Sequence, residues 1–278
     1  MNYFRQDLVL VLKNVSGKHH FYLTKENTAV GSTLPFYLAG KKQTVSASLW
    51  NSLPEKSIFG TGKRQFQTCS VVGSSGILLG SHCGKEIDKA EFVLRFNLAT
   101  VRGFEDDVGH KTNFTTLNPT YIRKRFNSLK SKPSIAAFKA SLQQFRRGLL
   151  WLPAFGVRSY QPPLLKVAGI LATGDVMTPI YGDPIHFSAV RSIWSPILAK
   201  KQFPSTGLYM LTAAFEFCEN INLFGAWPFD KSTMDEDVSY HYHDNISASH
   251  HHSFKAEFMQ MLHLHNLGIV KLHYSKCL

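Results

Sequence analysis

From residue 66 onward, short apolar runs alternate with longer segments of mixed polarity. "FQTCSVVG" (66–73), "AEFVLRFN" (90–97), "TNFTTLN" (112–118) and "GLLWLPAF" (148–155) are short, rich in β-branched and aromatic residues and closed by small or polar residues. That pattern predicts strands buried on both faces. "INLFGAW" (221–227) and "IVKLHYS" (269–275) read the same way. Between them, "PTYIRKRFNSLK" (119–130), "SIAAFKASLQQF" (134–145) and "FKAEFMQMLHLHNLG" (254–268) predict helices, the first opened by Pro119 and the last ended by Gly268. "STGLYMLTAAFEFCEN" (205–220) also predicts a helix, because Leu208, Leu211, Phe215 and Cys218 recur at helical spacing. "RSIWSPILAKK" (191–201) predicts a helix broken by Pro196, and "SSGILLGSH" (74–82) a loop with a helix start. Residues 1–60 show only one short strand and a helix near "SASLWNSL".

Strands alternating with helices predict an α/β domain around a mostly parallel sheet. In such sheets ligands sit beyond the carboxyl ends of the strands. This places "GSSG" (73–76), "FN" (96–97) and "GAWPF" (225–229) at one rim.

Composition narrows the class. The 278 residues are 44% hydrophobic and 18% charged, which excludes a disordered chain. The longest apolar run near the start, "LVLVL" (8–12), is too short for a membrane span or a signal-peptide core. The net charge of +12 is dispersed, with "RKR" (123–125) and two "KK" pairs as its densest pieces. Lacking an arginine tract or an RNP-like signature, the chain is not expected to bind nucleic acid. A dispersed positive field suits an acidic substrate.

The candidate chemistry lies in a few short stretches, each with more than one reading. Gly73-Ser74-Ser75-Gly76 is either a phosphate cradle before a helix N terminus or a tight turn. "PSTG" (204–207) is a plain helix cap or a second anion or ribose site. The histidines of "YHYHD" (240–244) and "SHHHSFKAE" (249–257) offer a general base, a metal site or a solvated loop. Against metal, His241 and His243 are two apart and His250 to His252 adjacent, so no helical H-x-x-x-H exists. "DED" (235–237) matches the D-x-D of metal-dependent glycosyltransferases but lies in a polar loop, where solvated carboxylates are expected. Cys69, Cys83, Cys218 and Cys277 allow three pairings as two disulfides, or four buried thiols. Sequons at Asn14, Asn113 and Asn245 are candidate glycosylation sites and favour a secretory setting.

Taken together, residues 64–277 resemble the animal sialyltransferases, and within them the α-2,8 group. Residues 69–120 resemble the family's large sialyl motif throughout. "PSTGLYMLTAAFEFCENINLFGAWPF" resembles the small motif, His241-Tyr242-His243-Asp244 the third motif, and His252 to Glu257 the very small motif H-x-x-x-x-E. "WLPAF" (151–155) and the ending "LHNLGIVKLHYSKC" are similar to the α-2,8 group.

The resemblance implies a single GT-A-like, Rossmann-like catalytic domain over 61–278, with 1–60 as a stem-proximal extension packed on it. It implies disulfides Cys69–Cys218 and Cys83–Cys277, each closing a long loop and contributing roughly 3–5 kcal/mol. Ser74, Ser75 and Asn97 are expected to contact the donor nucleotide, CMP-sialic acid. Ser205, Thr206 and Gly207 are expected to hold its phosphate or sugar, and Gly225 and Trp227 to line the cytidine pocket. His241 is expected to bind the leaving phosphate and His252 to act as general base. The implied partners are CMP-sialic acid and a sialylated glycoprotein or glycolipid, with no metal or other cofactor. The implied setting is the Golgi lumen, where the family is held by a type II anchor not visible in this chain.

Three positions depart from the family. Ser74 stands where relatives have Asn, which exchanges an amide for one hydroxyl, and one good hydrogen bond lost in a dry site costs on the order of 1–3 kcal/mol. His243 stands where relatives have Tyr. The third departure is the anchor. Rival readings are a metal-dependent transferase built on "DED", a transferase to galactose or N-acetylgalactosamine, and a glycan-binding pseudoenzyme.

Overall fold

The computed structural model describes residues 6–11, 14, 17, 19–59, 65–145, 147–172, 176–198, 203–246 and 252–277. A small antiparallel ribbon pairs β1 (Thr33–Pro35) with β2 (Lys42–Thr44). Seven further strands follow: β3 (Phe66–Val72), β4 (Phe92–Arg95), β5 (Phe114–Thr116), β6 (Gly148–Leu152), β7 (Met177–Tyr181), β8 (Cys218–Phe224) and β9 (Lys271–His273). Their order in the sheet is β7-β6-β5-β4-β3-β8-β9. Neighbours run parallel wherever the register is defined, and helices flank the sheet, as an α/β fold requires.

The chain forms two compact units. One comprises Met1–Val9, Thr61–Asn113 and Arg191–Leu278, the other Leu10–Gly60 and Phe114–Val190. Residues 10–60 cluster with 114–190 in the second of these units.

The first unit carries β3, β4, β8 and β9. Val72 is in register with both Arg95 of β4 and Phe224 of β8, and Phe224 with His273 of β9. The parallel strands therefore end in one row, and the next residues, Gly73, Phe96 and Gly225, open three loops along one rim. The helix Thr206–Ala214 is apolar all round and buried from Leu208 to Ala214. A helix apolar on every face belongs inside a core. Its N-terminal residues Thr206 and Gly207 are half-exposed. A disulfide joins Cys69 to Cys218, with Cα atoms 5.9 Å apart, and a second joins Cys83 to Cys277 across 194 residues.

The second unit carries β5, β6 and β7, the β1–β2 ribbon and the helices Pro119–Phe126, Lys132–Leu142 and Gln161–Leu171. Phe21 packs on Tyr22, Phe59 and Phe114 at its centre.

Four expectations need correction. Residues 74–82 hold only a 3-10 turn, Gly76–Leu78, and the helix follows later, at Gly84–Asp88. The helix read at 205–220 ends at Ala214, and Cys218 starts β8, because pairing with β3 begins at Phe66↔Cys218. The helix read at 191–201 spans Pro184–Trp194, so Pro196 lies beyond its end. The helix Gln161–Leu171 and β7 had no counterpart in the pattern.

Candidate active site

The rim loops are locked by backbone contacts that explain their glycines. Gly73 N–H donates to Phe224 O (2.8 Å), and Ser75 N–H to Gly225 O (3.2 Å). A Cβ on Gly73 would sit 2.3 Å from Gly225 O, and one on Gly76 within 2.2–2.8 Å of three Ser239 atoms. Gly225 has φ +63°, and a Cβ there would meet Leu78 Cδ1 at 2.6 Å. Close approach of two chain segments therefore requires Gly73 and Gly76 whether or not a ligand is present. Ser75 is buried, and its hydroxyl accepts from Ile77 N–H (3.3 Å), capping the short turn. Half-buried Ser74 accepts from Tyr242 N–H through its carbonyl (2.9 Å). Asn97 adopts a left-handed backbone, φ 54°, where β4 turns into the rim.

The Ser74 contact draws the third-motif loop onto the same rim. Tyr242 is buried, donates its hydroxyl to Thr100 O (2.7 Å) and packs edge-on against Phe104. His241 and His243 flank it. Nδ1 of His241 lies 2.8 Å from Asp244 Oδ1, and Nε2 of His243 lies 3.4 Å from Asp244 Oδ2. Burial raises the Asp244 carboxyl. Hydrogen bonds from His241 and Ile246 N–H, with the charges of both imidazoles, outweigh burial and leave it below the ordinary carboxylate range. An ionised carboxylate hydrogen-bonded at Nδ1 fixes the orientation of the His241 ring and leaves Nε2 as the nitrogen able to face a ligand.

The second seat is the start of the helix Thr206–Ala214. Ser205 caps it, its hydroxyl accepting from Leu208 N–H (3.2 Å). Ser205 also donates its N–H to Glu257 Oε1 (2.8 Å) and its hydroxyl to Glu257 Oε2. Both Ser205 donors are thus committed to a carboxylate that is 2% exposed. As placed, Ser205 builds the seat, and the half-exposed face at Thr206 and Gly207 is where an anion would meet the helix dipole. A Cβ on Gly207 would find only ordinary contacts, Ser205 Oγ at 3.5 Å and Phe96 Cε2 at 4.0 Å. Unlike Gly73, this glycine is not required by packing within the chain.

His252 stands before the helix that carries Glu257. Its Nδ1 lies 3.1 Å from Phe203 O. A carbonyl accepts only, so the proton resides on Nδ1 and Nε2 is the basic nitrogen. A run of aromatic contacts joins the two catalytic candidates: His252 to Phe254 (5.6 Å between centroids), Phe254 to Tyr240 (6.1 Å) and Tyr240 to His241 (4.3 Å). His250 and His251 lie outside the described residues.

Trp227 is set apart from these contacts. Its indole N–H donates to Lys231 O (2.8 Å), and its ring packs on Phe229, Phe258 and Tyr274. Through Phe258 it braces the helix that holds Glu257. Asp235 and Asp237 are 90% and 91% exposed and face Lys231 at 3.9 and 2.9 Å, as solvated loop charges do. Asn14 and Asn245 are exposed. Asn113 is half-buried and accepts Val93 N–H at Oδ1 (2.9 Å). Glu257 and Asp244 lie within the motifs, yet the sequence alone gives neither a role. The signal that could have found them is their fixed spacing from His252 and His241.

A parallel sheet whose rim gathers a helix N terminus and two oriented imidazoles is the layout of a group-transfer enzyme for anionic substrates. Residues 15–269 match the profile of glycosyltransferase family 29 (sialyltransferase). The chain belongs to this family and is a sialyltransferase domain. It is 34% identical over 265 residues to "Alpha-N-acetylneuraminide alpha-2,8-sialyltransferase" of Xenopus laevis, covering 92% of this chain and 71% of that one. It is 35% identical over 261 residues to "Alpha-2,8-sialyltransferase 8F" of Mus musculus, covering 92% of this chain and 65% of that one. It thus spans less than two thirds of the mouse protein. In fold it is similar to a crystal structure of a mammalian sialyltransferase, with a TM-score of 0.54 and 20% identity over 98% of this chain and 79% of that one.

Proposed function

We propose that this chain moves sialic acid from CMP-sialic acid onto the terminal sialic acid of a glycoprotein or glycolipid, in α-2,8 linkage, with inversion and without a divalent ion. The carrying observation is the orientation of the two histidines: His252 by the Phe203 carbonyl, His241 by Asp244. Nε2 of His252 takes the proton of the acceptor hydroxyl. That oxygen forms the new bond to the anomeric carbon of the sialyl group. The bond from that carbon to the phosphate oxygen breaks, and CMP leaves with the electron pair. His241 and the helix N terminus at Thr206 and Gly207 stabilise the phosphate charge, a load they can carry without a metal.

The α-2,8 linkage is supported by the relatives' names and by the net charge of +12, which suits a reaction between an anionic donor and an anionic acceptor. Two disulfides suit an oxidising lumen such as the Golgi. Ser74, Ser75, Asn97, Gly225 and Trp227 are assigned to the nucleotide side of the rim.

The test measures CMP release from CMP-sialic acid in EDTA, with a sialylated glycoprotein and its desialylated form as parallel acceptors. Release that depends on the sialylated acceptor is expected. Release only with the desialylated acceptor overturns the linkage. No release from folded protein overturns the activity and makes Ser74 the first residue to restore to Asn.

A further inference from the structure

In the third motif, His243 stands in a place the reaction does not use. The spacing of two between His241 and His243 argued against a metal only for a helix. This segment is not helical. It lets alternate side chains share one side while Tyr242 turns into the core. The two imidazole rings lie nearly parallel, 5.1 Å apart with a 9° angle between planes. Both address the same carboxylate, His241 Nδ1 at Oδ1 and His243 Nε2 at Oδ2 of Asp244. One donor atom from each of the three residues lies within 4.8 Å of the others. Their side chains are only 18%, 6% and 10% exposed.

We infer that His241, His243 and Asp244 form a binding site for Zn²⁺, and that its occupancy slows sialyl transfer. Two imidazoles and one carboxylate are a ligand set that suits zinc and discriminates against magnesium or manganese, which favour oxygen. Tetrahedral zinc with bonds of about 2.0–2.1 Å needs donors about 3.3 Å apart, so the widest pair must close by up to about 1.5 Å. The surroundings hold the loop for this. Ser239 Oγ donates to His241 O (2.8 Å), Ile246 N–H donates to Asp244 Oδ1 (3.1 Å), and Tyr242 is fixed at Ser74 and Thr100. Three protein ligands leave a fourth position for water. A bound metal replaces the hydrogen bond between His241 Nδ1 and Asp244 and draws the ring toward His243, out of the orientation proposed to meet the phosphate. The binding half of this inference stands on geometry alone. The switching half rests on the transferase reading.

The experiment titrates chelator-stripped protein with ZnCl₂ by calorimetry and with CoCl₂ by visible absorption, and measures CMP release across the same zinc range. His243→Tyr, which restores the family residue, and His243→Asn are compared, each checked by its melting curve. Wild type is expected to bind one equivalent with the absorption of tetrahedral cobalt. Either folded variant is expected to lose at least about tenfold in affinity and to need about tenfold more zinc for half-inhibition. Unchanged affinity in both variants overturns the site and sends the metal elsewhere, for instance to the run at 250–252. Weakened binding with unchanged inhibition overturns the switch. Calorimetry reads the site without turnover, so failure of the transferase reading is seen separately.

Discussion

Glu257 accepts both the backbone N–H and the hydroxyl of Ser205, 52 residues away, and so fixes the N terminus of a buried helix from outside that helix. The pair links the very small motif to the small motif. It gives Glu257 a positioning role, holding the helix end at which the phosphate is proposed to sit, five residues from the proposed base.

Glu257→Ala orphans two Ser205 donors, each at a cost on the order of 1–3 kcal/mol, while Glu257→Gln keeps the shape. Urea unfolding should show the Ala variant clearly destabilised and the Gln variant much less so.

The same carboxyl has a pH signature. Burial pushes it up to about 6, against the two hydrogen bonds from Ser205 that pull it down. A carboxyl raised in the folded state holds its proton more tightly than in the unfolded chain. Its contribution to stability therefore falls as pH rises from about 4.5 to about 6 and is level above that, a drop on the order of 2 kcal/mol. Glu257→Gln should remove this slope. Unfolding curves at pH 4.5, 5.25 and 6 that keep the same difference between wild type and variant would count against it.

Gly207 and Gly73 should part company. Gly207→Ala adds a methyl with ordinary contacts, so melting should be unchanged or raised by up to about 1 kcal/mol of helix propensity. The KM for CMP-sialic acid should rise at least tenfold if the donor closes on that face. Gly73→Ala places its methyl 2.3 Å from Gly225 O and should lose folded protein. An unchanged KM in Gly207→Ala would remove the helix start from the donor site.

His252→Ala should lower kcat by about 10²–10⁴-fold with little change in donor KM and none in fold, the pattern of a lost general base. Single-turnover CMP release separates the two parameters. Wild-type turnover in this variant would assign the base elsewhere.

Cys83→Ser with Cys277→Ser should cost about 2–5 kcal/mol, because the link ties a segment 194 residues distant back to the helix Gly84–Asp88. Chemical unfolding of the double variant under non-reducing conditions measures it.

Much of the fold was legible because local signals agreed. The runs at 66–73, 90–97, 112–118 and 148–155 contain β3, β4, β5 and β6, since continuous apolar runs suit strands buried on both faces. The helix Gln161–Leu171 opens on two prolines, which a first turn accepts because their missing N–H costs nothing there, and its apolar spacing gives no strong local signal. Pro179 sits within β7. β7 is an edge strand, where a missing donor is tolerated.

What the sequence by itself determined is the set of rim loops, the helix caps and the motifs with their histidines, all carried by spacing and local propensity. Tertiary structure alone decided how these meet. Pairing with β3 converted Cys218 from a helix position to a strand position. Ser239, 163 residues on, packs so closely against position 76 that only glycine fits there. Glu257 reached Ser205, and Asp244 drew two imidazoles onto one carboxylate. Each depends on groups far apart in the chain being held within a few ångströms, and that is decided by packing and register, which no local pattern encodes.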